Sequence, residues 1–275
     1  MSSLSKHIAF AFPQWKNRSF LLSYDDGHQS DRKIVDIFNQ NNLKATFHIN
    51  SHLLDDCDYR LNGADLPALY AGHEISCHGA RHAELNILPK EILISELLEN
   101  RKMLEGLFQK PVRGFSYPCG AYSLELAKTI ENLGFAYARG IETDQSMVVP
   151  DNFFTTSLFS WLPTASSGSD FIKIGKQFLG NNPGHPRLTH MLIWGHSSDF
   201  DRNGRWAEFE DLCQMMGDAL DEIWSTTMID YIDYIAACRS LQCSVTGEYI
   251  YNPTALDLYL TIDGEQVLLK AGEQR

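Results

Sequence analysis

Phe20-Leu21-Leu22-Ser23-Tyr24-Asp25-Asp26-Gly27 reads as a short buried strand that ends on two acids and a glycine. Apolar and aromatic residues favour the pleated, buried surface of a strand, and the abrupt change to Asp-Asp-Gly marks its exit into a loop. Barrel enzymes build their sites at such exits. Two carboxylates side by side there allow a division of labour in which one binds a metal while its neighbour serves as a base.

Further short β-rich runs lie at 45–50, 74–77, 114–117, 135–138 and 191–194, and periodic segments at 31–41, 89–108 and 123–133 fall between them. The clearest is 89–108, where Ile92, Leu93, Leu97, Leu104 and Leu107 recur near helical spacing and Pro89 suits the helix start. Strands alternating with helices predict βα units around a parallel sheet. From 152 to 186 the texture turns to Ser, Gly, Pro and Asn with aromatics, which predicts long loops around one helix at 171–178. Another helix is expected at 229–240. Beyond it residues 245–271 alternate apolar and polar around Asp263-Gly264, a pair that signals a hairpin. The expected organisation is one α/β domain over residues 1–275, with 244–275 a β appendage packed on it.

A chain of 275 residues with 44% apolar content is long enough for a full barrel or for two small domains, and one large domain is the simpler reading. Its formal charge of -12 comes without any basic block, which argues against a nucleic-acid partner. The apolar patch Ile8-Ala9-Phe10-Ala11-Phe12 stops at Pro13, too short for a signal sequence, and no run approaches a membrane span. Six cysteines lack CxxC spacing, so neither a thiolate zinc cluster nor a disulfide framework is suggested. A reduced, cytoplasmic protein without a membrane partner is the expectation; the oligomeric state is not legible.

A catalytic metal site needs about three protein ligands and one open position. His78-Gly79-Ala80-Arg81-His82 supplies an i, i+4 pair directly after the strand at 74–77, and in a helical turn its imidazoles point the same way. His48 and His52 share that spacing by chance, but four extended residues span roughly 13 Å, too far for one metal; His48 reads as a core or pocket-wall residue and His52 as a loop residue. Asp26, His78 and His82 together form a set that suits zinc or another divalent first-row metal. The same residues admit a plainer reading, in which Asp25 and Asp26 cap the helix near Asp31 and the histidines are satisfied surface groups.

Arg113-Gly114-Phe115-Ser116-Tyr117-Pro118-Cys119-Gly120 adds a third strand followed by a Pro-x-Gly turn. At this point the order of motifs resembles the polysaccharide deacetylase family with the NodB-homology domain, also called carbohydrate esterase family 4. That family has an Asp-Asp-Gly motif, a His-x-x-x-His motif, an Arg followed by a Pro-Tyr-Gly-like turn, and a late Leu-x-His, matched here by Met191-Leu192-Ile193-Trp194-Gly195-His196. Four motifs in order are far more specific than any one of them.

The resemblance implies an irregular seven-stranded (β/α) barrel. It implies Asp25 as general base, Asp26, His78 and His82 as metal ligands, Arg113 as the cation that orients Asp25, and His196 as general acid. The backbone N–H of Cys119 would face the oxyanion, although the family usually has Tyr at that position; the thiol as a nucleophile is the sharper alternative. Tyr117, Pro118, Trp161 and Trp194 are candidates for the substrate pocket, and Arg139 follows a strand and could face the site. One divalent metal is implied, zinc first, with cobalt, nickel or manganese as the other candidates. The implied reaction is metal-dependent removal of an acyl (acetyl) group from an N-acetylated sugar or oligosaccharide, with a small amide as a further substrate. Alternatives are hydrolysis of another C–N bond, in a formamido sugar, cyclic imide or ureide, and a non-catalytic carbohydrate-binding protein.

Overall fold

The computed structural model describes residues 7–141, 147–154, 170–180 and 188–275. Trp161 lies outside them, as does much of the 152–186 loop region.

Seven parallel strands form the central sheet: β2 (Arg18–Asp25), β3 (Thr46–Ile49), β4 (Glu74–Cys77), β5 (Gly114–Ser116), β6 (Tyr137–Arg139), β7 (Thr189–Gly195) and β8 (Ile223–Thr226). Their order is β6-β5-β4-β3-β2-β7, and β8 also pairs β2. Because β7 takes one edge of β2 along residues 18–24, both β8 and β3 must share the other edge; β8 pairs residues 18–21 and β3 pairs residues 23–25. This shared edge makes the barrel irregular, as the resemblance implies. Helices α1 (Asp31–Gln40), α2 (Leu66–Leu69), α3 (Lys90–Phe108), α4 (Leu124–Asn132), α5 (Phe171–Gly180), α6 (Ser197–Asn203), α7 (Trp206–Asp218) and α8 (Met228–Arg239) lie along the chain between and after the strands. Among the described residues no helix is long and apolar enough to cross a membrane.

Alternation along the strands divides the molecule. Phe20, Leu22, Tyr24, Phe47, Ile75 and Phe115 belong to the cluster that packs with helices α1, α3, α5 and α7. Residues of the opposite parity line the interior, where polar groups satisfy one another: Thr46 Oγ1 donates to Glu74 (2.8 Å), and Tyr137 Oη bonds Glu74 (2.9 Å) and Ser76 (3.2 Å). Gly114 makes room for this network. A Cβ there would lie 2.3 Å from Tyr137 Oη and 2.5 Å from Ser76 Oγ.

The α3 periodicity holds at Leu97 and Leu104, which are buried, while Ile92 is exposed. Its buried face also carries Glu96 and Asn100, which later prove to hold the site. The expected hairpin forms β11 (Leu258–Ile262) and β12 (Glu265–Leu269), turning at Asp263 and Gly264 with φ of +51° and +89°. Positive φ at both central positions is what a type I′ turn requires. A short pair, β9 (Gln242–Cys243) and β10 (Ile250–Tyr251), precedes it. The hairpin is not purely C-terminal: the apolar patch at the N-terminus forms β1 (Ile8–Ala11), which pairs antiparallel with β11.

Candidate active site

The site forms where β2, β4, β5, β6 and β7 end. Asp25 closes β2 on the interior side, and only 3% of it is exposed. Asp26 and Gly27 then leave the strand with φ of +84° and +67°. Asp tolerates the left-handed region better than most residues, and the turn breaks the strict in–out alternation, so two adjacent carboxylates serve different neighbours. The Asp26 N–H donates to the His48 carbonyl (2.9 Å), and Arg60 Nη1 donates to the Asp26 carbonyl (2.5 Å), fixing the turn.

Asp26 Oδ1 lies 3.6 Å from His78 Nε2 and 3.7 Å from His82 Nε2, and the three ligand atoms all lie within 4.8 Å of one another. A tetrahedral centre with bonds of ~2.0–2.1 Å has ligand–ligand edges of ~3.4 Å, so a small contraction would close this set around an ion. Asp26 Oδ1 is buried and lacks a hydrogen-bond partner, which is the orphan a cation would satisfy. His78 is prepared for ligation. Its Nδ1 sits 3.0 Å from the Ser116 carbonyl, which can only accept, so the proton is on Nδ1 and the Nε2 lone pair faces Asp26. Burial pushes the His78 pKa down against the pull of Asp25 and Asp26, favouring the neutral imidazole that a metal needs.

The two histidines do not converge through a helical turn, as the spacing suggested. Residues 78–82 form a loop with φ of +73° at Gly79 and +58° at His82. It is held from below: the His78 N–H donates to Asn100 Oδ1 (2.9 Å), the Arg81 N–H to Glu96 Oε2 (2.8 Å), and Asn50 Nδ2 to the Gly79 carbonyl (3.1 Å). These contacts bring the rings to a centroid separation of 4.8 Å.

The orienting cation is not the one expected. Arg113 precedes β5, at the opposite end of the strand from the site, and pairs with Asp233 of α8 at 2.7 Å in an exposed ion pair. The guanidinium on Asp25 belongs to Arg139, whose Nη2 donates to both carboxylate oxygens, Oδ2 at 2.5 Å. Strand register explains the exchange: Arg139 is the last residue of β6 and pairs with Ser116, the last residue of β5. Arg139 is buried, donates through Nε to Ser23 Oγ (3.0 Å), and lies 4.8 Å over the Trp194 ring. Burial alone would raise the Asp25 pKa, but Arg139, with His78, His48 and His196, holds it well below the usual carboxylate range. Ser116 Oγ links base and ligand, 3.2 Å from Asp25 Oδ1 and 2.6 Å from His78 Nδ1.

His196 follows β7 with Nε2 4.0 Å from Asp26 Oδ2, and its Nδ1 bonds Asp199 Oδ2 at 3.2 Å. Burial works to lower its pKa, yet the Asp199 hydrogen bond and the charges of Asp25 and Asp26 carry it above the ordinary histidine value. Cys119 is exposed at the third-motif turn with φ of +56°, its Sγ 3.9 Å from His82 Nδ1. The turn's own bonds use the N–H groups of Gly120 and Ala121 and leave that of Cys119 out of them. Burial, with Glu84 and Asp26, raises the thiol pKa, opposite to what a nucleophile needs.

Tyr117 and Pro118 are buried. The Tyr117 ring packs edge-on against Phe115 and Tyr122 and its hydroxyl donates to the Phe154 carbonyl, so it is a core residue and not a pocket wall. Trp194 is buried as the platform under Arg139. His48 lines the interior, with Nε2 2.8 Å from Ser23 Oγ, and His52 is a loop residue 3.6 Å from Glu99. The sequence pattern offers Asp199 only as a loop acid near the pocket, and singles out none of Ser116, Glu96 and Asn100. Polar residues on the otherwise apolar face of α3 were the signal available for the last two.

The polysaccharide deacetylase family model matches residues 14–138. The Bacillus subtilis (strain 168) protein YxkH, a polysaccharide deacetylase by name, is 25% identical over 125 residues, 45% of this chain and 44% of its own length. The match thus spans less than half of that relative. Among solved structures, one named as a polysaccharide deacetylase from Mycobacterium smegmatis superposes with a TM-score of 0.61 at 16% identity, covering 84% of this chain and 94% of that one. PuuE allantoinase superposes equally well, with a TM-score of 0.61 at 15% identity over 81% of this chain and 91% of its own. At these identities the superpositions establish the fold. Together with the motif order, the match makes residues 14–138 similar to the polysaccharide deacetylase family.

Proposed function

We propose that the chain is a metal-dependent hydrolase that removes an acetyl group from an N-acetylated sugar. The observation that carries this reading is the opposed environment of two titratable groups beside one ligand set: Asp25 held ionised by Arg139, and His196 held toward its protonated form by Asp199. Groups whose pKa values are pushed apart are suited to base and acid roles in one reaction. Asp26, His78 and His82 would hold the ion, which when bound polarises the acyl oxygen and lowers the pKa of water.

Asp25 would take the proton of the attacking water, and Arg139 keeps its carboxylate ionised and fixed in direction. His196 would hand its proton to the departing amine. The Cys119 N–H would stabilise the oxyanion, a role that survives the change of side chain from the family's Tyr because the donor is backbone. Ser116 ties the two halves together, its hydroxyl donating to the base and accepting from Nδ1 of a metal ligand.

The fold is shared with an allantoinase, so a cyclic ureide or imide is the competing substrate class. Product analysis decides between them: the zinc-loaded protein is offered N-acetylated sugars, formamido sugars and cyclic imides. Acetate released from the sugars alone supports the proposal. Ring opening without acetate release replaces it with the second class, and no turnover with any metal leaves a binding protein.

A further inference from the structure

Asp31 is a carboxylate that the reaction above does not use, yet it is 1% exposed and opens α1 only a few residues after the Asp25-Asp26 pair. Two hydroxyls satisfy it. Tyr70 Oη donates to Oδ2 at 2.5 Å, and Ser197 Oγ donates to Oδ1. Ser197 is fully buried and directly follows His196, so this bond ties together segments 166 positions apart in sequence. Tyr70 itself is immobilised, its ring centroid 4.3 Å from that of Phe47. A second tie runs in parallel, from Ser30 Oγ to Asp201 Oδ2, and Asp201 also accepts from Trp206 Nε1 at 2.8 Å.

We infer that Asp31 is a positioning residue for His196: through Ser197 it fixes the start of α6 so that the imidazole faces the Asp25-Asp26 turn. The loop between β2 and α1 would then do two jobs, presenting the base and a metal ligand at its start and anchoring the acid at its end. Burying a carboxylate is costly, and burial pushes Asp31 up to about 7 despite its two hydrogen bonds. A purely structural link between α1 and α6 could be apolar. Hydrogen bonds to a buried carboxylate instead fix direction as well as distance. This inference rests on His196 being the acid of the proposed reaction.

The test uses Ser197→Ala, which removes one hydroxyl, and Asp31→Asn, which keeps an acceptor for Ser197, in the zinc-loaded protein. General acid catalysis contributes roughly 10²–10⁴-fold, and a misdirected acid forfeits part of it, so Ser197→Ala should lower kcat about tenfold. KM and metal content should not change, and Asp31→Asn should fall between wild type and Ser197→Ala. Most tellingly, Ser197→Ala introduced into a His196→Ala background should cost nothing further, because the anchor then has nothing to position. A full additional loss in that background, or wild-type kcat in Ser197→Ala, overturns the inference. If the wild type turns over no substrate, the hydrolase reading fails separately. The His196 imidazole resonance at fixed pH then reads the anchor, and an unchanged resonance in Ser197→Ala overturns it.

Discussion

Replacing Arg139 with Met removes the charge from Asp25 while leaving a side chain of similar length over Trp194. Asp25 and Arg139 are 3% and 1% exposed, so the pair is fully desolvated. Removing one partner of such a pair leaves an uncompensated buried charge, and typically costs about 3–5 kcal/mol. Arg139 also donates to Ser23 Oγ and the Gly140 carbonyl, which places the expectation at the upper end. Arg113→Met is the matched control. Its pair with Asp233 has side chains 42% and 36% exposed, and such pairs contribute about 0–1 kcal/mol. Urea denaturation of both variants at several pH values reads the difference. In the wild type the depressed Asp25 pKa contributes stability above the unfolded carboxylate value, lost as pH falls through the folded one. In Arg139→Met burial is no longer opposed by the guanidinium, so the Asp25 pKa rises, the penalty grows with pH, and the acid limb of the activity profile moves upward. Equal losses for the two variants, or a larger one for Arg113→Met, would show that Arg139 does not hold a buried Asp25 charge.

Three further outcomes follow from the geometry. Ser116→Ala should weaken zinc binding by about 10–100-fold, since Ser116 Oγ supports His78 from the outer shell, as measured by competition with a chromophoric chelator. Gly114→Ala should destabilise the fold by about 1–3 kcal/mol in urea melts, because the new methyl meets Tyr137 Oη and Ser76 Oγ inside a filled interior. Glu74 is pushed up to about 7 by burial, so the folded protein holds a proton that the unfolded chain releases near 4.5, and stability falls as pH rises between those values. Glu74→Gln should flatten that slope, reducing the stability difference between pH 5 and pH 8 by roughly 2.5 kcal/mol.

The strands and their exits were legible because each is a compact apolar run ending in residues of another kind. Asp25, Asp26, His78, His82 and His196 could be placed together from motif order, and the structure brings them to one mouth. Arg113 misled for a geometrical reason: it precedes the third-motif strand, and a residue before a parallel strand emerges at the end of the sheet remote from the site. Arg139 sits where Asp25 does, on the last residue of its strand, and only the register of β5 against β6 shows that it reaches across. β8, α6 and α7 were not resolved from the pattern. β1 was seen only as an apolar patch because its partner, β11, lies about 250 residues away, beyond any local periodicity. The loop carrying His78 and His82 offers only an i, i+4 spacing to the sequence reader, because its shape comes from contacts with Glu96 and Asn100.

Asp25 and Asp26 are expected to serve separate roles, and metal content measured beside turnover tells those roles apart. Chelator-treated wild type, Asp25→Asn and Asp26→Ala are titrated with zinc, and acetate release from an N-acetylated chitooligosaccharide is followed in the same samples. Wild type should show one tightly held zinc and turnover, Asp25→Asn one zinc without turnover, and Asp26→Ala neither. Loss of zinc in Asp25→Asn equal to that in Asp26→Ala, or wild-type turnover in Asp25→Asn, would contradict that separation of roles.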